Sequence, residues 1–374
     1  MSANTAEPEV SVQTQGAVRI QGIDHIELYV GNAFQAAHFY RTALGFAPVA
    51  YAGLETGVRD RTSYLMQQGR VRLVLTNPLH RDDAISHHVH HHGDGVRDVA
   101  FTVPNAAEAF ELAVSRGARP VRLPEAREDE HGVTVTATIG AFGDSLHTFV
   151  ERGRYTGAFA PGFRPLAGMP AATPIGITEV DHVAVGMEEG KLQEWVDFYV
   201  EVLGFHEAHE EMVFTERSRM NSKVVADDSG AVKLPIVEPK GAKGTSQIDE
   251  YLNFHGGAGT QHVAFGCTDI CAAVEAVRAA GVDFVRTPGT YYDLLESRVG
   301  PVDPAELERM RRNGVLMDQD EHGRLLQIFT RPVTGRPTMF LELIERRGAR
   351  GFGGGNIHAL FEAVEREQML RGTL

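Results

Sequence analysis

The stretches GIDHIELYVGNAFQAAHFYRTALGF (residues 22–46) and VDHVAVGMEEGKLQEWVDFYVEVLGF (residues 180–205) are two versions of one pattern. Each opens with Asp-His, at Asp24-His25 and Asp181-His182, inside an alternating β-branched run that reads as a strand. Each then passes through a helical pattern to a Phe-Tyr pair, Phe39-Tyr40 or Phe198-Tyr199, and stops at Leu-Gly-Phe. Glycine after the last apolar helical turn is a C-cap signal. A second pair follows: HGDGVRDVAFTVPNAAEAFELAVSRGARPV (92–121) parallels GGAGTQHVAFGCTDICAAVEAVRAAGVDFV (256–285), a strand and an amphipathic helix ending at Gly117 or Gly281. A third is SLHTFVERG (145–153) against MFLELIERRG (339–348). The unit is strand–helix–strands, used twice in each half and four times in all. Such a unit cannot bury its sheet alone, so pairs of units close into an open barrel with helices outside. The predicted class is α+β, with tandem βαβββ repeats forming two open barrels. The Pro/Gly-rich stretch from Pro161 to Pro174 separates an N-terminal domain at 20–160 from a C-terminal domain at 175–374.

The bulk numbers narrow the function classes. With 374 residues, 43% of them hydrophobic, the chain has ample material for a packed core. Fifty acidic residues against 36 basic ones give a net charge of −14, which argues against nucleic acid or an anionic membrane as partner. Cys267 and Cys271 are the only cysteines, read as two buried thiols in a reducing cytosol. The first 19 residues lack the apolar core of a signal peptide, and no run reaches the ~20 apolar residues of a membrane span. A cytoplasmic location is expected.

The repeats also show where the halves differ. The C-terminal half places His182, His262 and Glu342 in three separate strands, 80 residues apart in each step. The N-terminal half aligns His25, Asp98 and Thr148 at the same places, and threonine is a poor ligand for a divalent ion. One half therefore keeps metal chemistry and the other is degenerate. Two imidazoles and one carboxylate on one face of an ion leave adjacent positions open, the arrangement of iron(II) oxygenases. Zinc would accept the same ligands but usually stays four-coordinate. Alternation along FLELIER puts Glu342 and Glu345 on opposite faces and does not by itself choose between them.

Longer segments carry a family resemblance. VDHVAVG (180–186), SQIDEYLNFHGGAGTQHVAF (246–265), TPGTYYDLL (287–295), LLQIFTRP (325–332), FLELIERRGARGFGGGN (340–356) and ALFEAVEREQ (359–368) resemble the 4-hydroxyphenylpyruvate dioxygenase and 4-hydroxymandelate synthase family, of the vicinal oxygen chelate fold. YLMQQGRVRLVLT (64–76) and HGDGVRDVAF (92–101) are similar to it as well. The resemblance implies one Fe(II) per chain on His182, His262 and Glu342, with O₂ as co-substrate and an aryl 2-oxo acid as substrate. It puts Ser222, Val237, Gln247, Gln327, Phe340, Asn356 and Ile357 around the substrate. It makes 357–372 a lid helix, with Phe352, Leu360 and Phe361 in the lid and the glycines of GARGFGGGN as a flexible hinge before it. It also implies a homo-oligomer, dimer or tetramer.

Two departures bear on the product. The family's ring hydroxylases read P-I-N-E-P where this chain has Val237, and carry phenylalanine where it has Ile357. An amide at 237 could hydrogen-bond a phenol and valine cannot. The family's mandelate synthases are aliphatic at both places, although they differ from this chain at Pro235 and at Gly354-Gly355. The expected activity is oxidative decarboxylation and hydroxylation of 4-hydroxyphenylpyruvate, with 4-hydroxymandelate favoured over homogentisate. The same chemistry on phenylpyruvate is the further alternative. A metal-free binding protein of this fold is disfavoured by the retained ligand set, and a zinc- or nickel-dependent isomerase or lyase by the long match to the family's segments. The run Ser86-His-His-Val-His-His-His92 reads as an exposed helix end rather than a metal site.

Overall fold

The computed structural model describes residues 16–168, 170, 172–214, 219–241 and 246–372; the side chains of 211–214, 360–363, 365–367 and 370–371 lie outside that description. The first sheet contains β1 (Gly22–Tyr29), β2 (Ala47–Ala52), β3 (Arg61–Gln68), β4 (Val71–Pro78), β5 (Gly95–Thr102), β6 (Pro120–Asp129), β7 (Gly132–Gly140), β8 (Leu146–Glu151) and the two-residue β9 (Arg164–Pro165). Helices α1 (Ala33–Leu44), α2 (Ala84–His92) and α3 (Ala106–Ser115) connect them. The second sheet contains β10 (Ile177–Gly186), β11 (His206–Phe214), β12 (Arg219–Ala226), β13 (Lys233–Pro239), β14 (Gly259–Cys267), β15 (Leu316–Asp320), β16 (Gly323–Phe329) and β17 (Phe340–Arg347). Its helices are α4 (Leu192–Asp197), α5 (Gln247–His255), α6 (Ile270–Ala279), α7 (Gly289–Asp293), α8 (Leu295–Val299), α9 (Pro304–Asn313) and α10 (Gly354–Arg371). The architecture is two tandem glyoxalase-like halves, each a curled mixed sheet with helices outside.

The duplication holds down to the pairing. In the first half β1 runs parallel to β4 and antiparallel to β5, and β5 runs parallel to β8. In the second half β10 runs parallel to β13 and antiparallel to β14, and β14 runs parallel to β17. The two Leu-Gly-Phe stops behave as predicted. Gly45 and Gly204 both adopt a left-handed φ, +71° and +79°, which a side chain would strain. α4 does not end there as a plain α-helix; it widens into a π turn over Phe198–Leu203 before Gly204 closes it.

The third repeat carries a pair of devices that appears in both halves. Glu151 and Glu345 each accept a hydrogen bond from the first N–H of a helix, at Ala106 in α3 and Ile270 in α6, both at 3.0 Å. Arg152 and Arg346 each form a two-pronged ion pair with the aspartate of the Asp-His motif, Asp24 and Asp181.

The halves share one continuous apolar core. Phe46 meets Phe265 across it with ring centroids 5.7 Å apart. The Gln68 side chain donates to the Leu44 carbonyl and accepts from the N–H groups of Ile175 and Ile177, fastening the first sheet to the start of β10. No helix among the described residues is long and apolar enough to cross a membrane.

His147 lies in this shared core with a fixed tautomer. Its Nδ1 donates to the Val99 carbonyl at 2.9 Å, so Nε2 accepts from the Tyr199 hydroxyl at 2.7 Å. Burial pushes the imidazole down to about 4. The unfolded chain, with an ordinary histidine pKa of about 6.5, then binds a proton that the folded chain refuses. Stability from this group is complete above pH 6.5 and falls as pH drops toward 4, by about 2 kcal/mol at pH 5. Urea midpoints measured from pH 7.5 to 5 should show this slope in the wild type and a flatter one in His147→Gln; equal slopes would refute it.

Candidate active site

Register explains why three distant residues meet. Ala264 of β14 pairs with His182 of β10 on one side and with Glu342 of β17 on the other. His262 lies two residues before Ala264, so its side chain leaves the same face. The three side chains converge over a small alanine. His182 Nε2 is 3.1 Å and His262 Nε2 3.4 Å from the same Glu342 oxygen, and the two nitrogens are 3.4 Å apart. Glu345 leaves the opposite face to cap α6, so Glu342 is the acid that faces the two imidazoles.

The donor set fits a divalent metal. Asp181 accepts from His182 Nδ1 at 2.8 Å, which turns the lone pair on Nε2 toward Glu342. Two ring nitrogens and a carboxylate oxygen facing one another need a cation among them, and ligand bonds of about 2.1 Å leave neighbouring donor atoms about 3 Å apart. Burial alone would raise the Glu342 carboxyl, but the charge and hydrogen bonds of His182 and His262 hold it down at about 2, ionised. His262 is lowered first by burial. It stacks on Phe340 at 4.7 Å, and its Nδ1 has no hydrogen-bond partner among the described residues.

A chain of polar side chains runs from Glu342 to the C-terminal helix. Gln327 Nε2 donates to Glu342 at 2.9 Å, Asn356 donates to Gln327 Oε1 at 2.9 Å, and Tyr291 donates to Asn356 Oδ1 at 2.7 Å. Gln327 is thus engaged with Glu342, and Asn356, fully buried, stands behind it rather than on the pocket wall. Gly353 allows this approach: it has φ +72°, and a Cβ there would lie 2.4 Å from Gln327 Oε1.

The centre opens into a cavity. Ser222, Val237, Gln247, Phe340, Phe352 and Ile357, all named from the sequence, line it. Ser222 and Val237 face each other across the β12–β13 pair, and Val237 packs with Met220, Ile248 and Ile357. Phe352 meets His182 edge-on at 5.2 Å. The side chains of Leu360 and Phe361, the other two lid residues, lie outside the described residues. The stretch expected as a flexible hinge is tied down. Arg346 donates to the carbonyls of Ala349 and Gly351, and Asp320 accepts from the N–H groups of Arg350 and Gly351. The helix starts at Gly354, not 357.

Sequence reasoning passed over Asp181, Arg346, Tyr291, Gln261 and Phe329. The first two had a signal, since Asp-His and Glu-Arg recur at matched positions of both halves. In the N-terminal half the ligand positions are spent differently: Thr148 donates to Asp98 through both its amide, at 3.0 Å, and its hydroxyl.

Comparison with known proteins agrees with this geometry. Residues 22–145 and 179–304 each match the family model described as Glyoxalase/Bleomycin resistance protein/Dioxygenase superfamily. The chain is 41% identical over 369 residues to 4-hydroxyphenylpyruvate dioxygenase of Yarrowia lipolytica, covering 95% of this chain and 94% of that one. It is 38% identical over 396 residues to the Aspergillus fumigatus enzyme of the same name, covering 99% and 98%. Among solved structures, a triple mutant of 4-hydroxymandelate synthase from Streptomyces coelicolor superposes with a TM-score of 0.86 at 37% identity, covering 93% of this chain and 99% of the other.

Proposed function

Because the chain belongs to the 4-hydroxyphenylpyruvate dioxygenase and 4-hydroxymandelate synthase family, and is thereby an oxidoreductase acting on a 2-oxo acid with O₂, we propose that it converts 4-hydroxyphenylpyruvate to homogentisate with Fe(II) held by His182, His262 and Glu342. The observation that carries the reading is a buried carboxylate–bis-imidazole centre opening into one aromatic-walled chamber. The reaction balances as 4-hydroxyphenylpyruvate plus O₂ giving homogentisate plus CO₂, with one oxygen atom in the new carboxylate and one on the ring. Iron(II) in such a centre supplies the coupling of decarboxylation to reduction of O₂.

The protein's own part is positioning. Asp181 fixes the tautomer of His182, and Gln327 holds Glu342 in one rotamer through the chain to Asn356 and Tyr291. Phe340 and Phe352 flank the ligands and keep the reacting end dry, while Ser222 offers the aryl end a hydroxyl. Gln247 and Gln261 give one side of the chamber amides that can orient the acid.

A second reading, benzylic hydroxylation to 4-hydroxymandelate, is favoured by one observation. Val237 packs with Met220, Ile248 and Ile357 and offers no amide where the ring hydroxylases carry one, which leaves the Ser222 hydroxyl as its polar neighbour across the strand pair. The two products are isomers, so chromatographic retention decides between them. Iron-loaded enzyme with 4-hydroxyphenylpyruvate should give homogentisate, and Val237→Asn with Ile357→Phe should leave it the main product. 4-Hydroxymandelate from the wild type, with a shift to homogentisate in the double variant, would overturn the first reading in favour of the second.

A further inference from the structure

A second group of ligating side chains lies outside the proposed reaction. His88 and His92 stand one turn apart on α2, and Asp144 reaches them from the β7–β8 turn. One donor atom from each lies within 4.8 Å of the others. Residues four apart share a helix face, so the two imidazoles point the same way. The expectation of an exposed helix end fails at these two positions. His88 and His92 are 8% and 3% exposed, whereas His87, His90 and His91 face solvent.

Hydrogen bonding at His92 poses a problem that a cation resolves. Its Nδ1 lies 2.8 Å from the backbone carbonyl of His255, at the end of α5. A carbonyl only accepts, so Nδ1 carries the proton and Nε2 of the neutral ring presents a lone pair. That lone pair faces the Asp144 carboxylate at 3.0 Å. Two acceptors at this distance need a proton or a metal ion between them. His88 adds an independent observation: Arg97 only donates, so His88 Nδ1, 3.3 Å from its Nη1, presents a lone pair toward the Asp144 side, and the protonated Nε2 is buried without a hydrogen-bond partner among the described residues. An imidazole whose far nitrogen donates to a backbone carbonyl is the usual outer contact of a metal ligand.

We propose that His88, His92 and Asp144 form a binding site for a divalent transition-metal ion of the zinc type, separate from the His182–His262–Glu342 centre. Two imidazoles and a carboxylate are a zinc-compatible set, with room for water as the fourth ligand. The site joins the halves: two ligands lie on α2, and the outer contact is the last residue of α5, the helix whose first residue, Gln247, lines the substrate cavity. Arg97 is the opposing charge, with Nη1 3.3 Å from His88 Nδ1 and a hydrogen bond to the Asp144 carbonyl. Its Nη1 stands between these two residues, so an ion bound on His88 Nδ1 displaces it.

The test is zinc stoichiometry in the full-length, chelator-treated chain, by calorimetry and by metal content after desalting. Wild type should bind two equivalents, Glu342→Ala one, Asp144→Ala one, and the combined variant none. Asp144 is two-thirds exposed, so its removal leaves the core intact. Zinc should also raise the melting temperature of Glu342→Ala by several degrees and leave that of the combined variant unchanged. No binding to Glu342→Ala would mean that a proton alone holds His92 to Asp144. In the Glu342→Ala background, an equivalent surviving both Asp144→Ala and His88→Ala would place the ion on the exposed histidines. Either result overturns the proposal.

Discussion

Glu342→Gln should abolish turnover, with kcat/KM falling at least about a thousandfold, and should leave the chain unable to retain stoichiometric iron. The loss of a metal ligand removes several kcal/mol of transition-state stabilisation, and each 1.4 kcal/mol is about tenfold in rate. The isosteric amide keeps the shape but not the charge, and only the ionised carboxylate gives His182 and His262 an anion to share with a cation. Its amide group would also confront Gln327 Nε2, already a donor to this side chain. Glu345→Ala is the control, three residues along the same strand on the other face. It should retain iron and rate within a few-fold and lose about 1 kcal/mol of stability with the cap of α6. Iron content after desalting, initial rates and urea midpoints read all three quantities. Normal iron retention in Glu342→Gln would sink the assignment.

That contrast also marks what the sequence could carry. Repetition of Asp-His, Leu-Gly-Phe and Glu-Arg exposes a fourfold unit, because a duplicated strand–helix unit keeps its turn and cap residues even where its chemistry has drifted. The three side chains that cluster were legible as differences between the halves, with His182, His262 and Glu342 set against His25, Asp98 and Thr148. Which face each strand turns inward was not, since alternation has two phases and only the β10–β14–β17 register selects one. Gln327 illustrates a second limit. A glutamine near a metal reads as a substrate contact, yet its hydrogen bonds to Glu342 and Asn356 depend on the place of α10, which no local pattern gives. The histidine run shows a third. Solvent exposure of a helix end depends on what packs over it, and here α5 of the other half covers His92 while Tyr29 of β1 meets His88.

The repeat supplies its own control for the residue behind the metal ligands. Asp181 and Arg346 form a two-pronged ion pair at 2.6 and 2.9 Å, and Lys233 adds a contact at 3.4 Å. Asp24 and Arg152 form the same pair at 2.7 and 2.6 Å in the half that lacks the ligand set, with Arg72 in the place of the lysine. Both aspartates are buried and both are held well below the usual carboxylate range; burial opposes this, and the arginine and the neighbouring histidine outweigh it. Because the pair persists without a metal centre, its first role is to brace two strands of the sheet across the strand between them. In the C-terminal half it has a second, since Asp181 also fixes His182. Asp24→Asn and Asp181→Asn should therefore cost similar stability, about 3 kcal/mol each, by leaving a half-buried arginine uncompensated. Only Asp181→Asn should weaken iron binding, by about 10- to 100-fold, the usual consequence of losing the carboxylate behind a ligating histidine. Urea midpoints and iron titrations of the two variants separate the roles. Equal iron affinity in both would mean that Asp181 only braces the fold, and a larger loss in Asp24→Asn would mean that the N-terminal half shapes the centre from a distance.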